Sequence, residues 1–116
     1  MLRLGYYVMI KTIDNAAKIN TISYHPEFSV ICSVGLSPFH GTIDIVYKPD
    51  EKLLEFESFE TWLRGISNNH MTIEDLARLV FDNLLAVLGD IPLSVTVHAR
   101  TTVHAPVSAI LIQGEF

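Results

Sequence analysis

The order of local patterns along the chain predicts an α+β domain, an antiparallel sheet with two helices on one face. Three observations carry this reading. Residues 41–47 alternate Ile43, Ile45 and Tyr47 with Thr42, Asp44 and Val46, and residues 92–100 alternate Leu93, Val95 and Val97 with Ser94, Thr96 and His98, the two-residue period of a pleated strand. Between them lies an apolar stripe at helical spacing, Ile73, Leu76, Ala77, Val80, Leu84, Val87 and Leu88, with Thr72 as N-cap, Glu74 and Asp75 in the first turn and Gly89 as stop. The strand patterns are grouped before and after the helical stretch instead of alternating with it, which excludes a parallel βαβ arrangement.

In chain order, residues 6–13 and 17–23 are β-rich and flank Asp14-Asn15, a pair that tolerates turn geometry, so they read as an N-terminal hairpin. Residues 27–34 form a third strand that runs into the Gly/Ser/Pro-rich turn 35–38. Residues 41–47 follow, closed by Pro49-Asp50, and residues 57–66 read as a short helix ended by Gly65 and the Ser67-Asn68-Asn69 cluster. After the 72–88 helix come strands at 92–100 and 107–113. Leu79, Phe81 and Leu85 widen the helical stripe beyond what one sheet needs, which predicts packing on two sides.

With 116 residues the chain reads as a single domain, 1–116, long enough to bury a core without a structural metal or disulfides. Apolar residues make up 49% and charged residues only 18%, a balance that predicts apolar surface shared between subunits. The net charge is −5 and the eight Lys and Arg are scattered singly, so no basic stripe exists for phosphate backbones and a small-molecule ligand is expected. Residues 1–13 lack the features of a signal peptide, and there is no run of 18 apolar residues for a membrane span; one cysteine fits a reducing, cytoplasmic setting. His98 and His104 lie six apart with no third ligand nearby, which argues against zinc.

Cys32, the only cysteine, sits where a buried-looking strand meets a turn. It is either a small core hydrophobe or a nucleophile. Its surroundings read Pro26-Glu27-Phe28-Ser29-Val30-Ile31-Cys32-Ser33-Val34-Gly35-Leu36-Ser37-Pro38-Phe39-His40-Gly41-Thr42-Ile43. That stretch resembles, without a gap, the pattern of the tunnelling-fold nitrile reductases of queuosine biosynthesis, the QueF family: Pro-Glu-Phe, three residues, Cys-Pro-x-Thr-Gly-x-Pro-Asp, then Ala-Thr-Ile. The family's Glu-Ser-Lys-Ser-Leu-Lys and His-Glu-Asp segments align with Glu55-Phe56-Glu57-Ser58-Phe59-Glu60 and with Ile73-Glu74-Asp75. Cys32, Thr42, Glu55 and Glu74 fall in register, and the likeness runs from about Pro26 to Arg100.

The resemblance implies a tunnelling fold, ββααββ preceded by the hairpin, assembled as a homo-oligomer with ligand pockets between subunits. It implies a thioimide between Cys32 and the nitrile of 7-cyano-7-deazaguanine, reduction to the aminomethyl base by NADPH, and no metal. Glu74 matches the glutamate that binds the guanine-like edge, which suits a carboxylate because it accepts two N–H bonds at once; without the register match it is an acidic first-turn residue. Thr42 belongs to the matched Thr-Ile segment and is carried with the substrate site. Glu55 is either a second substrate contact across a subunit boundary or a residue that screens a strand end.

The departures are equally specific. Phe39 stands where the family has its proton-handling aspartate, and His40, one residue on, is the candidate replacement or else a solvated turn histidine. Glu57 and Glu60 stand where the family has two lysines for the NADPH phosphates, a reversal of sign that opposes phosphate binding. Arg64 and Arg100 are the cations left to serve a cofactor, Arg64 about two helical turns from Glu57. Two alternatives follow: attack of ammonia on the same thioimide to form an amidine on a base already in tRNA, or a non-catalytic purine- or pterin-binding module.

Overall fold

A computed structural model of the chain describes residues 9–67 and 69–116. The elements are β1 (Thr12–Asp14), β2 (Ile22–Tyr24), β3 (Glu27–Ile31), β4 (Pro38–Tyr47), β5 (Lys52–Leu54), α1 (Phe56–Gly65), α2 (Ile73–Leu88), β6 (Leu93–Arg100) and β7 (Val107–Gln113). Every ladder between named strands is antiparallel.

β2 and β3 lie along the same side of β4 in one unbroken register, Ile22 opposite Tyr47 through to Ile31 opposite Pro38. They are one strand interrupted at His25-Pro26, because proline has no N–H for the ladder; its carbonyl still accepts from the Ile43 N–H at 2.9 Å. The main sheet is therefore a hairpin of β2/β3 with β4, joined through β6 to a hairpin of β6 with β7, with both helices between them in the chain. This is the ββααββ order expected.

The N-terminal pair differs in its partners. The first arm, residues 6–13, lies partly outside the described residues; its described end, β1, pairs with β5, and the second arm supplies β2 to the main sheet. The turn at Asn15 is present and tightly built: the buried Asn15 amide donates to the Ile19 and Asp50 carbonyls and accepts from the Ile19 N–H. Those bonds, with the Asn15 N–H donating to the Glu51 carbonyl, tie the turn to the chain before β5, so the described ends of the two arms pair with different strands.

Strand alternation sorts the sheet into two faces. Phe28, Val30, Ile43, Ile45, Tyr47, Leu93, Val95, Val97 and Ala99 are buried, and both helices contribute to the same core, α1 with Phe59, Trp62 and Leu63, α2 with Leu76, Val80 and Leu84. The other face carries Thr42, Asp44, Thr96, His98 and Ser108. Phe81 is buried in the core, and Leu79 and Leu85 pack against it, so the widened stripe of α2 is taken up by its own sheet. Exposed apolar residues stand instead on β7, where Ile110 and Ile112 are 61% and 62% exposed and point away from the helices along a strand with one free edge among the described residues. No described helix is long and apolar enough to cross a membrane.

Candidate functional site

The strand β3 ends at Ile31, three residues earlier than the apolar run suggests, because the chain turns sharply there. The Cys32 N–H donates to the Ser37 carbonyl at 2.8 Å and the Cys32 carbonyl accepts from Leu36 at 2.9 Å, with Leu36 in the left-handed region. The Gly35 N–H donates to Cys32 Sγ at 3.4 Å. Ile31 is bonded on its other side to the connector between the helices: its N–H donates to Asn69 O at 3.0 Å and its carbonyl accepts from Met71 N at 2.9 Å. This short parallel bridge brings the start of α2 beside Cys32. Thr72 caps that helix by accepting the Asp75 N–H at 3.0 Å, leaving Glu74 exposed in the first turn.

Cys32 and Glu74 consequently line one cavity of about 240 Å³, with Phe39, Thr72, His104 and Val107. Cys32 is partly exposed, while Phe39 is buried. His104 stands over Phe39 with ring centroids 5.6 Å apart and tilted by 52°. His104 Nδ1 lies 2.6 Å from the Ala105 carbonyl, which can only accept, so Nδ1 carries the hydrogen and Nε2 of the neutral ring is a free acceptor. The arrangement combines a thiol, an unpaired imidazole nitrogen and a carboxylate around a small, largely apolar space.

His40 is not part of it. β4 starts at Pro38, not at Gly41, so residues 39 and 40 are already on a pleated strand: Phe39 faces the helices and the cavity, and His40 faces outward, opposite Ser29 and Arg100. Thr42 and Arg100 are also outward, in a second cavity of about 410 Å³ shared with His98 and Ser108. Beside it runs a hydrogen-bonded chain: His25 Nδ1 to Asp44 Oδ1 at 2.7 Å, Asp44 Oδ2 to His98 Nε2 at 2.7 Å, and His98 Nδ1 to Ser108 Oγ at 2.8 Å. The hydrogen bond from His25, with that from His98, holds the Asp44 carboxyl below its ordinary value against a smaller opposing effect of burial.

Glu55 caps α1, its carboxylate accepting the N–H groups of Glu57 at 2.8 Å and Ser58 at 2.9 Å, and these bonds hold it below the usual carboxylate range. Glu60 accepts from the Tyr24 hydroxyl at 2.6 Å; burial, then Glu60, pushes that phenol well above its ordinary value. Arg64 is exposed and donates to Thr61 Oγ1 at 3.2 Å. The start of α1 therefore presents carboxylates already engaged in helix and sheet contacts and does not fit an anionic phosphate. Among the described residues no cluster could hold a metal ion.

Sequence reasoning missed His104 as a cavity residue and the His25–Asp44–His98–Ser108 chain. The chain had a signal, since Asp44, His98 and Ser108 all occupy the outward phase of their strands. His104 had none, because it lies in the irregular stretch between β6 and β7.

The chain is an α+β domain of ββααββ order compatible with the tunnelling fold, with a cysteine and a helix-borne glutamate sharing one cavity. No protein-family model matches the chain. Curated proteins do: a protein of Rhodopirellula baltica is 30% identical over 93 residues, 79% of this chain and 75% of its own length. Others from Aquifex aeolicus and Trichormus variabilis are 31% and 28% identical over 90 and 86 residues, which is 71% and 74% of this chain and 65% and 62% of their own lengths. The matched stretch thus falls short of two thirds of those last two relatives. All three carry the name NADPH-dependent 7-cyano-7-deazaguanine reductase. The chain belongs to this family.

Proposed function

We propose that the chain processes the nitrile of 7-cyano-7-deazaguanine through a covalent thioimide on Cys32, with reduction to the 7-aminomethyl base as the outcome. The observation that carries this is the shared cavity of Cys32 and Glu74, residues 42 positions apart in the chain. His104 Nε2 takes the Cys32 proton; the sulfur adds to the nitrile carbon, a C–S bond forms, one C≡N π pair moves to nitrogen, and that nitrogen receives the proton back from His104. The net change is addition of S–H across the triple bond, with no oxidant or reductant needed. His104 thereby takes the proton-handling role for which His40 was the sequence candidate. Glu74 accepts the ring N1–H and the exocyclic amine and aims the nitrile at the sulfur. Reduction of the adduct to the amine would need two hydrides, the chemistry NADPH would supply, with Arg64 and Arg100 as the cations that would hold its phosphates.

The carboxylates at Glu57 and Glu60 favour a second reading, amidine formation, in which ammonia attacks the same thioimide. If that substrate base is part of tRNA, the net charge of −5 works against it. The exposed Ile110 and Ile112 on β7 support assembly with further copies of the chain, with the pocket at a subunit boundary.

Intact-protein mass spectrometry with the nitrile base tests the core of the reading. A mass increase equal to the base, absent in Cys32→Ala, is expected; unmodified wild-type protein at millimolar base would overturn it. NADPH oxidation against release of the adduct by ammonia then separates the two outcomes.

A further inference from the structure

We propose that the outer face of the sheet carries a second catalytic centre, a serine–imidazole–carboxylate site of Ser108, His98 and Asp44 that hydrolyses activated carboxylic esters. The three side chains come from β7, β6 and β4, adjacent strands in continuous ladders, so their spacing is held by backbone pairing and not by a loop. Asp44 Oδ2 lies 2.7 Å from His98 Nε2, and His98 Nδ1 lies 2.8 Å from Ser108 Oγ. The roles follow from protonation. Asp44, held ionised at neutral pH by its two imidazole contacts, can only accept, so Nε2 of the neutral His98 ring carries the hydrogen. Nδ1 is then bare, and the Ser108 hydroxyl donates to it. That is the tautomer a general base needs beside a nucleophilic hydroxyl, and such sites are defined by these roles and not by chain order. His25 holds the other oxygen of Asp44 at 2.7 Å and fixes the plane of the carboxylate.

Room for a substrate lies beside Ser108, which with His98 lines the cavity of about 410 Å³ that also presents Thr42, Arg100 and Val107, within the roughly 300–1,000 Å³ of small-molecule sites. Arg100 is exposed and makes no ion pair or side-chain hydrogen bond among the described residues. The reaction needs no reagent besides water. The Ser108 proton moves to His98 Nδ1 as Oγ bonds to the ester carbonyl carbon, and the carbonyl π pair moves to oxygen, where the Arg100 guanidinium and the Thr42 hydroxyl donate to it. Collapse breaks the bond to the leaving oxygen, which takes the proton from Nδ1; water then repeats the sequence on the acyl-serine and releases the acid. The His98 side chain is 46% exposed, so solvent screens the charges that develop. This favours aryl esters, whose leaving groups need little help, over amides.

The test treats the full chain, without nitrile base or NADPH, with a fluorophosphonate and maps the label by peptide mass spectrometry; release of p-nitrophenol from p-nitrophenyl acetate is the rate assay. Label on Ser108 is expected. Ser108→Ala should remove it, His98→Gln should slow labelling roughly 10²-fold, and Arg100→Gln should slow ester hydrolysis roughly tenfold, with thermal midpoints unchanged as evidence of folding. Asp44 acts through His98, so it is a positioning residue and Asp44→Asn is read in two ways. Labelling should slow roughly tenfold, and the nitrogen NMR resonance of His98 Nδ1, identified by its loss in His98→Gln, should move from the position of a bare ring nitrogen toward that of a protonated one. An unmoved resonance would overturn that role. Label on other residues only, labelling of Ser108 no faster than in the urea-unfolded chain, or an undiminished rate in His98→Gln would overturn the site. The readout is at Ser108, so failure here is distinct from failure of the Cys32 chemistry.

Discussion

Strand β4 gives Phe39 to the wall of the Cys32 cavity and His40, Thr42 and Asp44 to the outer face, so one strand serves two regions of different chemistry, whose cavities meet at Val107. The helix-side region is the more apolar of the two, and its reactive groups come from a strand end, a helix start and a loop. The outer region is the more polar, and its groups come from adjacent strands that hydrogen-bond along their length. A thiol gains from the first setting, where apolar walls orient a bound base beside it. Imidazoles bridged by a carboxylate gain from the second, where protons exchange freely with solvent.

Replacing Cys32 by alanine separates the regions most completely: covalent capture of the nitrile base should vanish in mass spectrometry while the His98 ring resonances, which report its bonds to Asp44 and Ser108, stay where they are. Gly41 couples them, because a Cβ there would lie 1.7 Å from the His98 carbonyl oxygen and force β4 from β6. Gly41→Ala should cost about 3 kcal/mol or more in denaturant unfolding, abolish the adduct and shift the His98 ring resonances. His104→Gln should slow adduct formation by roughly 10²-fold and flatten its pH profile, and His40→Gln should leave that profile as it is. Glu74→Ala should weaken reversible capture of the base by roughly 10- to 100-fold, read by equilibrium titration of the adduct.

The smallest effect is expected at Asp44. Its carboxyl is held low in the folded chain, so its stabilising contribution is present above the unfolded value of about 3.9 and disappears as pH falls through the lower folded value. Because Asp44 is more than a third exposed, the advantage of wild type over Asp44→Asn should be under about 1 kcal/mol at pH 6–7 and shrink below about pH 4. An advantage that grows in acid would show that the imidazole contacts do not form.

Most of the architecture was legible in local pattern. The Thr72 cap, the α2 stripe, the Gly89 stop and the alternation of β4, β6 and β7 each follow from forces between residues a few positions apart, and the pairing of Cys32 with Glu74 was legible through family register. The departures came from longer range. Pro26 splits one strand into β2 and β3, and β5 draws β1 away from the expected N-terminal hairpin. The β3 partner strand extends β4 back to Pro38, which sets Phe39 inward and His40 outward. Spacing in the chain could order these residues but could not choose the face, because a one-residue difference in where pleating begins inverts every side chain. His104 illustrates the limit: the chain names a histidine in an irregular stretch, and only the packing of that stretch against Phe39 places it on the wall of the Cys32 cavity.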